Sequence, residues 1–226
     1  MKQAISAIST LTVGTVASEQ NLGEFMQFVS THGKSYGTME EFSMRLERYN
    51  RADAYIKGHY EKNGPEPSFH VGHNKFSDWT EQEYKVLLGY KPMKGKKRTP
   101  KGEVAVDTTT LPESIDWRQH NAVNPVKNQG HCGSCWAFAT SAILEGAHSV
   151  NTGELLSFSE QLWTDCVKGQ SAYGYISEPE PCCAGCNGGD YDASFSWAGN
   201  NTINFVLEDD YKYQMVEGTC EYESKD

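Results

Sequence analysis

Apolar residues return at helical steps in two parts of this chain. From Glu24 to Phe28, and again from Glu40 to Tyr60, they recur every three or four positions. Phe42, Leu46, Tyr49, Ala52 and Ile56 mark one helix face. Glu41 and Arg45 stand four apart on that helix and can pair. The stretch VGHNKFSDWT, residues 71–80, loses the period. Gly72 and Asn74 punctuate it, which predicts a loop or hairpin anchored by Phe76 and Trp79. A second stripe begins near Ser134, where Trp136, Ala139, Ile143 and Ala147 would share a face and Asn151 to Gly153 would end the helix. Ser157 and Glu160, three apart before Leu162 and Trp163, have the spacing of a capping box. They predict a short helix reaching Cys166. CNGGDY, residues 186–191, predicts a glycine turn, and YDASFSWAG, residues 191–199, a third helix of this second part.

Composition narrows the class. The chain has 226 residues, of which 38% are hydrophobic, with twelve tyrosines and nine phenylalanines, enough for a packed core. No apolar run approaches the roughly 20 residues of a membrane span. Residues 1–17 combine an early lysine, a mild apolar stretch and a Thr15-Val16-Ala17 end, which fits a secretory signal peptide cut after Ala17. Charge is uneven. Residues 1–102 carry fifteen Lys/Arg and eleven Asp/Glu, net +4, and residues 103–226 are net −14. Six of the cations fall in KPMKGKKRTPKG, residues 91–102. That run has no interleaved aromatics and lies among Pro and Gly, so it reads as an exposed, protease-accessible linker. The acidic remainder argues against a nucleic-acid partner.

All seven cysteines follow the linker, an odd number that suggests pairs plus a free thiol in a secreted chain. NQGHCGSCWAF, residues 128–138, admits three readings. As a redox pair, Cys132 and Cys135 form a CxxC, but no clear strand precedes them and Gln129 is left without a role. As zinc ligands they would need Cys182, Cys183 and Cys186, which lack the usual partner spacing. As a nucleophile site, Cys135 sits in the first turn of a helix, where exposed N–H groups and the dipole favour a thiolate. Gln129 would then offer its amide to a developing oxyanion, with the Cys135 N–H as second donor. Gly130 and Gly133 would let the chain turn tightly. Nothing in the sequence indicates a cofactor.

The third reading meets a specific resemblance. GHCGSCWAF with Gln129, then SFSEQLWTDC, CNGGDY and YKYQMVEGTC, in that order, resemble the papain-like cysteine proteases, the family of the cathepsins. The upstream part is similar to that family's inhibitory propeptide. Glu41, Arg45, Tyr49 and Ile56 fall at its helical spacing, and Gly72, Asn74, Phe76 and Asp78 at its Gly-x-Asn-x-Phe-x-Asp signature. Ala52 and Tyr60 depart, standing where the family has asparagines. The resemblance implies an α+β papain-like fold, of which this chain holds a helical propeptide and the mainly helical left lobe, with the β-rich right lobe largely absent. The implied order is a signal peptide (1–17), an inhibitory propeptide (18–90), a basic linker and activation region (91–110) and the first half of a peptidase domain (111–226).

The resemblance further implies disulfides Cys132–Cys186 and Cys166–Cys220, leaving Cys135 as nucleophile and Gln129 as oxyanion donor. Gly133, Ser134, Trp136, Gly188, Gly189 and Asp190 would border the substrate groove, with Asp190 either lining the pocket for the second side chain before the cut or pointing to solvent. Cys182 and Cys183 have no counterpart in the short form of their loop, where they would bond elsewhere or staple it. The implied partners are polypeptide substrates and the chain's own propeptide, in a secretory, lysosome-like, vacuole-like or extracellular setting. One component is missing. The family's histidine base and orienting asparagine lie roughly 130–150 residues after the cysteine, and only 91 residues follow Cys135 here. His148 is thirteen positions on, about 20 Å along the helix, and His131 has no family role as base. The expectation is an endopeptidase precursor, incomplete and inactive as given. A non-catalytic propeptide-type inhibitor or pseudoenzyme is the alternative, and a thiol oxidoreductase a more distant one.

Overall fold

A computed structural model describes residues 21–91, 108–168, 183–201 and 203–222. The leader at 1–17, the cationic run from 92 onward and Cys182 lie outside them. The chain divides into two compact units, with the boundary after Tyr84. Residues 85–90, expected to belong to the propeptide, and Lys91, expected to open the linker, are therefore grouped with the second unit.

In the first unit, helix α1 covers 21–31 and helix α2 covers Met39–Asn63. Thr38 caps α2, its side chain accepting from the Glu41 N–H. The first three residues of the expected stripe face inward: Tyr49 is buried with Phe25 and Phe28, and Phe42 and Leu46 pack against them. The rings meet at centroid distances of 5.1–5.3 Å for Tyr49 with Phe28 and Phe25. The 71–80 stretch is a loop that ends on short helix α3, Glu81–Lys85. Asp78 is buried, and accepts from Lys34 Nζ and the Tyr36 hydroxyl, both at 2.8 Å. Phe76 and Trp79 meet edge-on at 4.8 Å. Arg45 bonds Glu41 at 3.4 Å, but its stronger partner is Glu83, gripped through both guanidinium nitrogens at 2.6 Å. Tyr60, a departure from the family pattern, donates its hydroxyl to Val71 O and accepts from Val71 N–H. It thereby ties α2 to the following extended chain.

The second unit is built on three helices: α4 (Cys135–Thr152), α5 (Glu160–Cys166) and α6 (Tyr191–Asn201). Among the described residues, strand pairing is limited to isolated bridges. The core holds Trp136, Ala137, Trp163, Val167, Ala193 and Trp197. The buried face of α4 differs from the expected stripe. Ile143 is 49% exposed, whereas Trp136, Ala137, Thr140, Ser141, Glu145 and Ser149 are buried. Burial follows hydrogen-bond satisfaction rather than apolarity. Ser141 Oγ accepts from Trp163 Nε1, Ser149 donates to Asn121 O, and Glu145 accepts from the Phe158 N–H and Lys127.

The cap of α5 is also displaced from its expected place. Ser159, not Ser157, is the N-cap, accepting from the Leu162 N–H. Ser157 and Phe158 are instead extended and pair antiparallel with a strap, residues 203–222, through Glu208 N–H to Ser157 O at 2.9 Å and the Phe158–Leu207 bridge. α5 is buried along nearly its whole length, and its polar side chains bind the strap. Gln161 bonds the Gln214 N–H and Val216 O, and Asp165 accepts from the Tyr211 hydroxyl and the Gly218 N–H.

Candidate active site

The loop ahead of α4 is fixed from three sides. A disulfide joins Cys132 to Cys186, and the Gly133 N–H donates to Cys186 O at 2.9 Å. A second disulfide, Cys166–Cys220, ties the end of α5 to the strap. Cys135 is the first residue of α4, partly accessible and outside any disulfide. Ser134, the N-cap position, makes no side-chain cap. Its hydroxyl bonds the Tyr213 hydroxyl instead, and Tyr213 donates its own proton to Gln129 O at 3.0 Å. Seventy-nine positions separate Ser134 from Tyr213, so no local pattern could signal this partner. Burial raises the Tyr213 phenol, although its bond to Ser134 works in the opposite direction.

Gln129 turns its side-chain amide inward, donating to Cys132 O at 2.7 Å and to Leu87 O at 3.0 Å. Leu87 lies in the segment that runs into the same unit from α3. That segment continues along the wall of the site, where the Gly189 N–H donates to Gly89 O at 2.8 Å and the Lys91 N–H to Gly189 O at 2.9 Å. Tyr90 and Gly189 form a parallel bridge. The close fit depends on missing side chains: a Cβ on Gly89 would run into Gly133 O, and one on Gly188 would meet Gly89 O at 2.5 Å. The amide expected to serve an oxyanion is therefore occupied by a carbonyl of the chain itself.

Trp136 and Asp190, two of the residues expected to border the groove, are buried. Trp136 is 1% exposed; its indole lies under Gly189, where an added Cβ would stand 2.6 Å from the ring, and donates to Gly185 O at 3.1 Å. Trp136 supports the wall rather than lining it. Asp190 is 3% exposed, and its carboxylate accepts from the Asp192 N–H at 2.7 Å, closing the first turn of α6. It thus neither points to solvent nor opens as a free acid. Ser134 is fully buried. Cys183 is buried, its sulfur 3.9 Å from Asp190 O. His148 packs edge-on against Phe158 at 6.0 Å, and His131 is exposed.

Behind this loop lies a charged group that the sequence reading missed. Lys127 Nζ pairs with Glu160 at 2.6 Å and Glu145 at 2.9 Å. Burial opposes the Lys127 charge, but the bonds to Glu160 and Glu145 prevail and raise its pKa. Burial pushes the Glu160 carboxyl up to about 7, against the pull of Lys127.

Residues 111–226 match the family described as papain family cysteine protease, and residues 25–84 the cathepsin propeptide inhibitor domain. Cysteine proteinase 15A of Pisum sativum is 37% identical over 203 residues, covering 88% of this chain and 53% of the relative. Procathepsin L of Mus musculus is 38% identical over 207 residues, 89% of this chain and 57% of the relative. Among solved structures, a recombinant stem bromelain precursor aligns with a TM-score of 0.68 at 28% identity, covering 89% of this chain and 60% of that one. A digestive procathepsin L2 of Tenebrio molitor aligns at 0.71 and 27% identity, covering 90% and 63%. The chain thus spans a little over half the length of these curated relatives. On both its matched regions and this fold, the chain belongs to the papain family of cysteine proteases and carries that family's inhibitory propeptide domain ahead of the peptidase residues.

Proposed function

We propose that this chain is part of the precursor of a papain-like endopeptidase that cuts polypeptides through Cys135. The supporting observation is the joint placement of Cys135 and Gln129. Cys135 begins an eighteen-residue helix, whose first-turn N–H groups have no intrahelical acceptor and favour a nearby anion. In acyl transfer the Cys135 sulfur would attack the scissile carbonyl. The Gln129 amide and the Cys135 N–H would hold the resulting oxyanion. Gly189, whose N–H and C=O both bond the 89–91 segment, would offer the same two groups to an extended substrate.

Latency follows from the same atoms. With Leu87 O on the Gln129 amide, the oxyanion donor is occupied. Activation then means cutting at 91–110 and withdrawing residues 85–91. The setting is the secretory pathway, ending in a lysosome- or vacuole-like compartment or outside the cell.

These 226 residues do not hydrolyse peptides by themselves. Protonating the leaving amine needs an imidazolium beside the thiolate, and His148, the one histidine after Cys135, is packed on Phe158. The test is to express residues 18–226, remove the propeptide in acid and assay a fluorogenic dipeptide amide. No turnover is expected. Turnover near one per second that Cys135→Ala abolishes would mean a base within these residues.

A further inference from the structure

Among the described residues of the second unit, Glu160 and Glu208 carry the two buried carboxylate oxygens left without a donor. Glu160 is 1% exposed; its Oε1 takes Lys127, and its Oε2 has no partner. Glu208 uses Oε1 for the Tyr213 N–H at 2.9 Å, and its Oε2 is likewise buried and unsatisfied. Both belong to one patch: the Glu208 N–H bonds Ser157 O at 2.9 Å, three positions before Glu160, and the Glu208 carboxyl acts on that of Glu160. Two ionised carboxylates cannot hydrogen-bond, and buried acceptors without donors are costly. One proton between them removes both problems.

The surroundings favour that proton. Lys127 comes from the loop before the site, Glu145 and His148 from α4, and Glu208 and Tyr213 from the strap. Lys127 is already shared between Glu160 and Glu145, so one cation faces three carboxyl groups. Burial and the Glu208 charge both favour the protonated form of Glu160.

We propose that Glu160 and Glu208 bind one solvent proton between them, as a carboxyl donating to a carboxylate, and that this proton fastens the strap onto α5. Glu208 also holds the Tyr213 N–H, and Tyr213 in turn bonds Gln129 O and Ser134. The proton therefore acts on the loop that presents Cys135 without touching it. The sign follows from linkage. The native pair keeps a proton that ordinary carboxylates of the unfolded chain release above about pH 4.3. The stabilisation is complete below that pH and is lost as pH rises through about 7, the value to which Glu160 is raised. The unit is acid-fastened and loosens above neutral pH.

The test uses the full chain and Glu208→Gln, whose amide can donate to Glu160 with no bound proton. Unfolding by denaturant is followed by tryptophan fluorescence between pH 5 and 7.5; four of the five tryptophans lie in residues 85–226. Over that range the wild-type folding equilibrium should fall more steeply than the variant's, by up to tenfold per pH unit. Equal slopes would overturn the shared proton. Should the variant not fold, glutamate carboxyl carbons in the wild type give the answer directly. One should titrate near neutrality, and all titrating below about pH 5.5 would refute the proposal. Hydrogen exchange over 203–217, corrected for intrinsic rates, should loosen between pH 5 and 7.5 in the wild type. Protection that does not change with pH would remove the strap from the account.

Discussion

Tyr213 and Gly89 do at single positions what the motifs around them cannot. The sequence lets Gln129 and Cys135 be read as a nucleophile with its donor, because both lie inside one eleven-residue stretch. It cannot show that Tyr213 bridges Gln129 O and Ser134, because those contacts span 84 and 79 positions. Nor could the motif show that Trp136 lies under the wall: an aromatic beside a nucleophile reads equally well as a groove residue or a core residue. Two substitutions test these placements. Gly189→Ala sets a methyl against the Trp136 ring. It should destabilise the second unit by about 1–3 kcal/mol, as overpacking does, read from the shift of the denaturant midpoint. A shift under about 0.5 kcal/mol would mean that the ring yields freely. Gly89→Ala drives its new methyl into Gly133 O, so residues 85–91 should unseat. Alkylation of Cys135 in the uncut chain should then speed up several-fold, and an unchanged rate would show that this segment does not cover the thiol.

At the scale of elements, period identified the helices and polar burial set their faces. The part of the α2 stripe from Phe42 to Tyr49 is the packed face because its neighbours are apolar rings. The α4 stripe failed because Thr140, Ser141, Glu145 and Ser149 each find an internal partner, which apolar counting treats as solvent-facing. α5 repeats the lesson. Its buried residues include Glu160, Gln161, Thr164 and Asp165; the strap partners Gln161 and Asp165, Lys127 partners Glu160, and Thr164 bonds Glu160 O within the helix. The capping-box spacing chose Ser157 because that serine stands three before Glu160. Pairing of 157–158 with the strap left Ser159 to cap. Ser159→Ala should therefore cost about 0.5–2 kcal/mol, with the further loss of its bond to Tyr211 O. Ser157→Ala should stay within about 0.5 kcal/mol. The opposite order in paired unfolding measurements would restore the capping box.

On the scale of the whole molecule, the two units respond to acid with opposite sign. In the first, hydrogen bonding to Arg45 pulls Glu83 down to about 2. Its folded value lies below the ordinary carboxylate value of about 4.3. The stability it contributes is thus present above that value and is lost as pH falls through about 2. Glu83→Gln should flatten the acid unfolding of residues 21–84, followed by helical circular dichroism; an unchanged profile would place the acid sensitivity elsewhere. Acid also neutralises carboxylates of the net −14 part, which attract the net +4 part. Binding of separately made residues 18–102 to the peptidase residues should therefore weaken between pH 7 and 4.5, and with salt. The central claim is that Cys135 is the nucleophile and that the chain's own 85–91 segment covers its site. It is tested most directly by treating the chain with an epoxide electrophile before and after cleavage at 91–110, and mapping the adduct. The account requires Cys135 to react first, slowly before cleavage and faster once residues 85–91 are released. First labelling at Cys182 or Cys183, or a Cys135 rate that cleavage leaves unchanged, would contradict it.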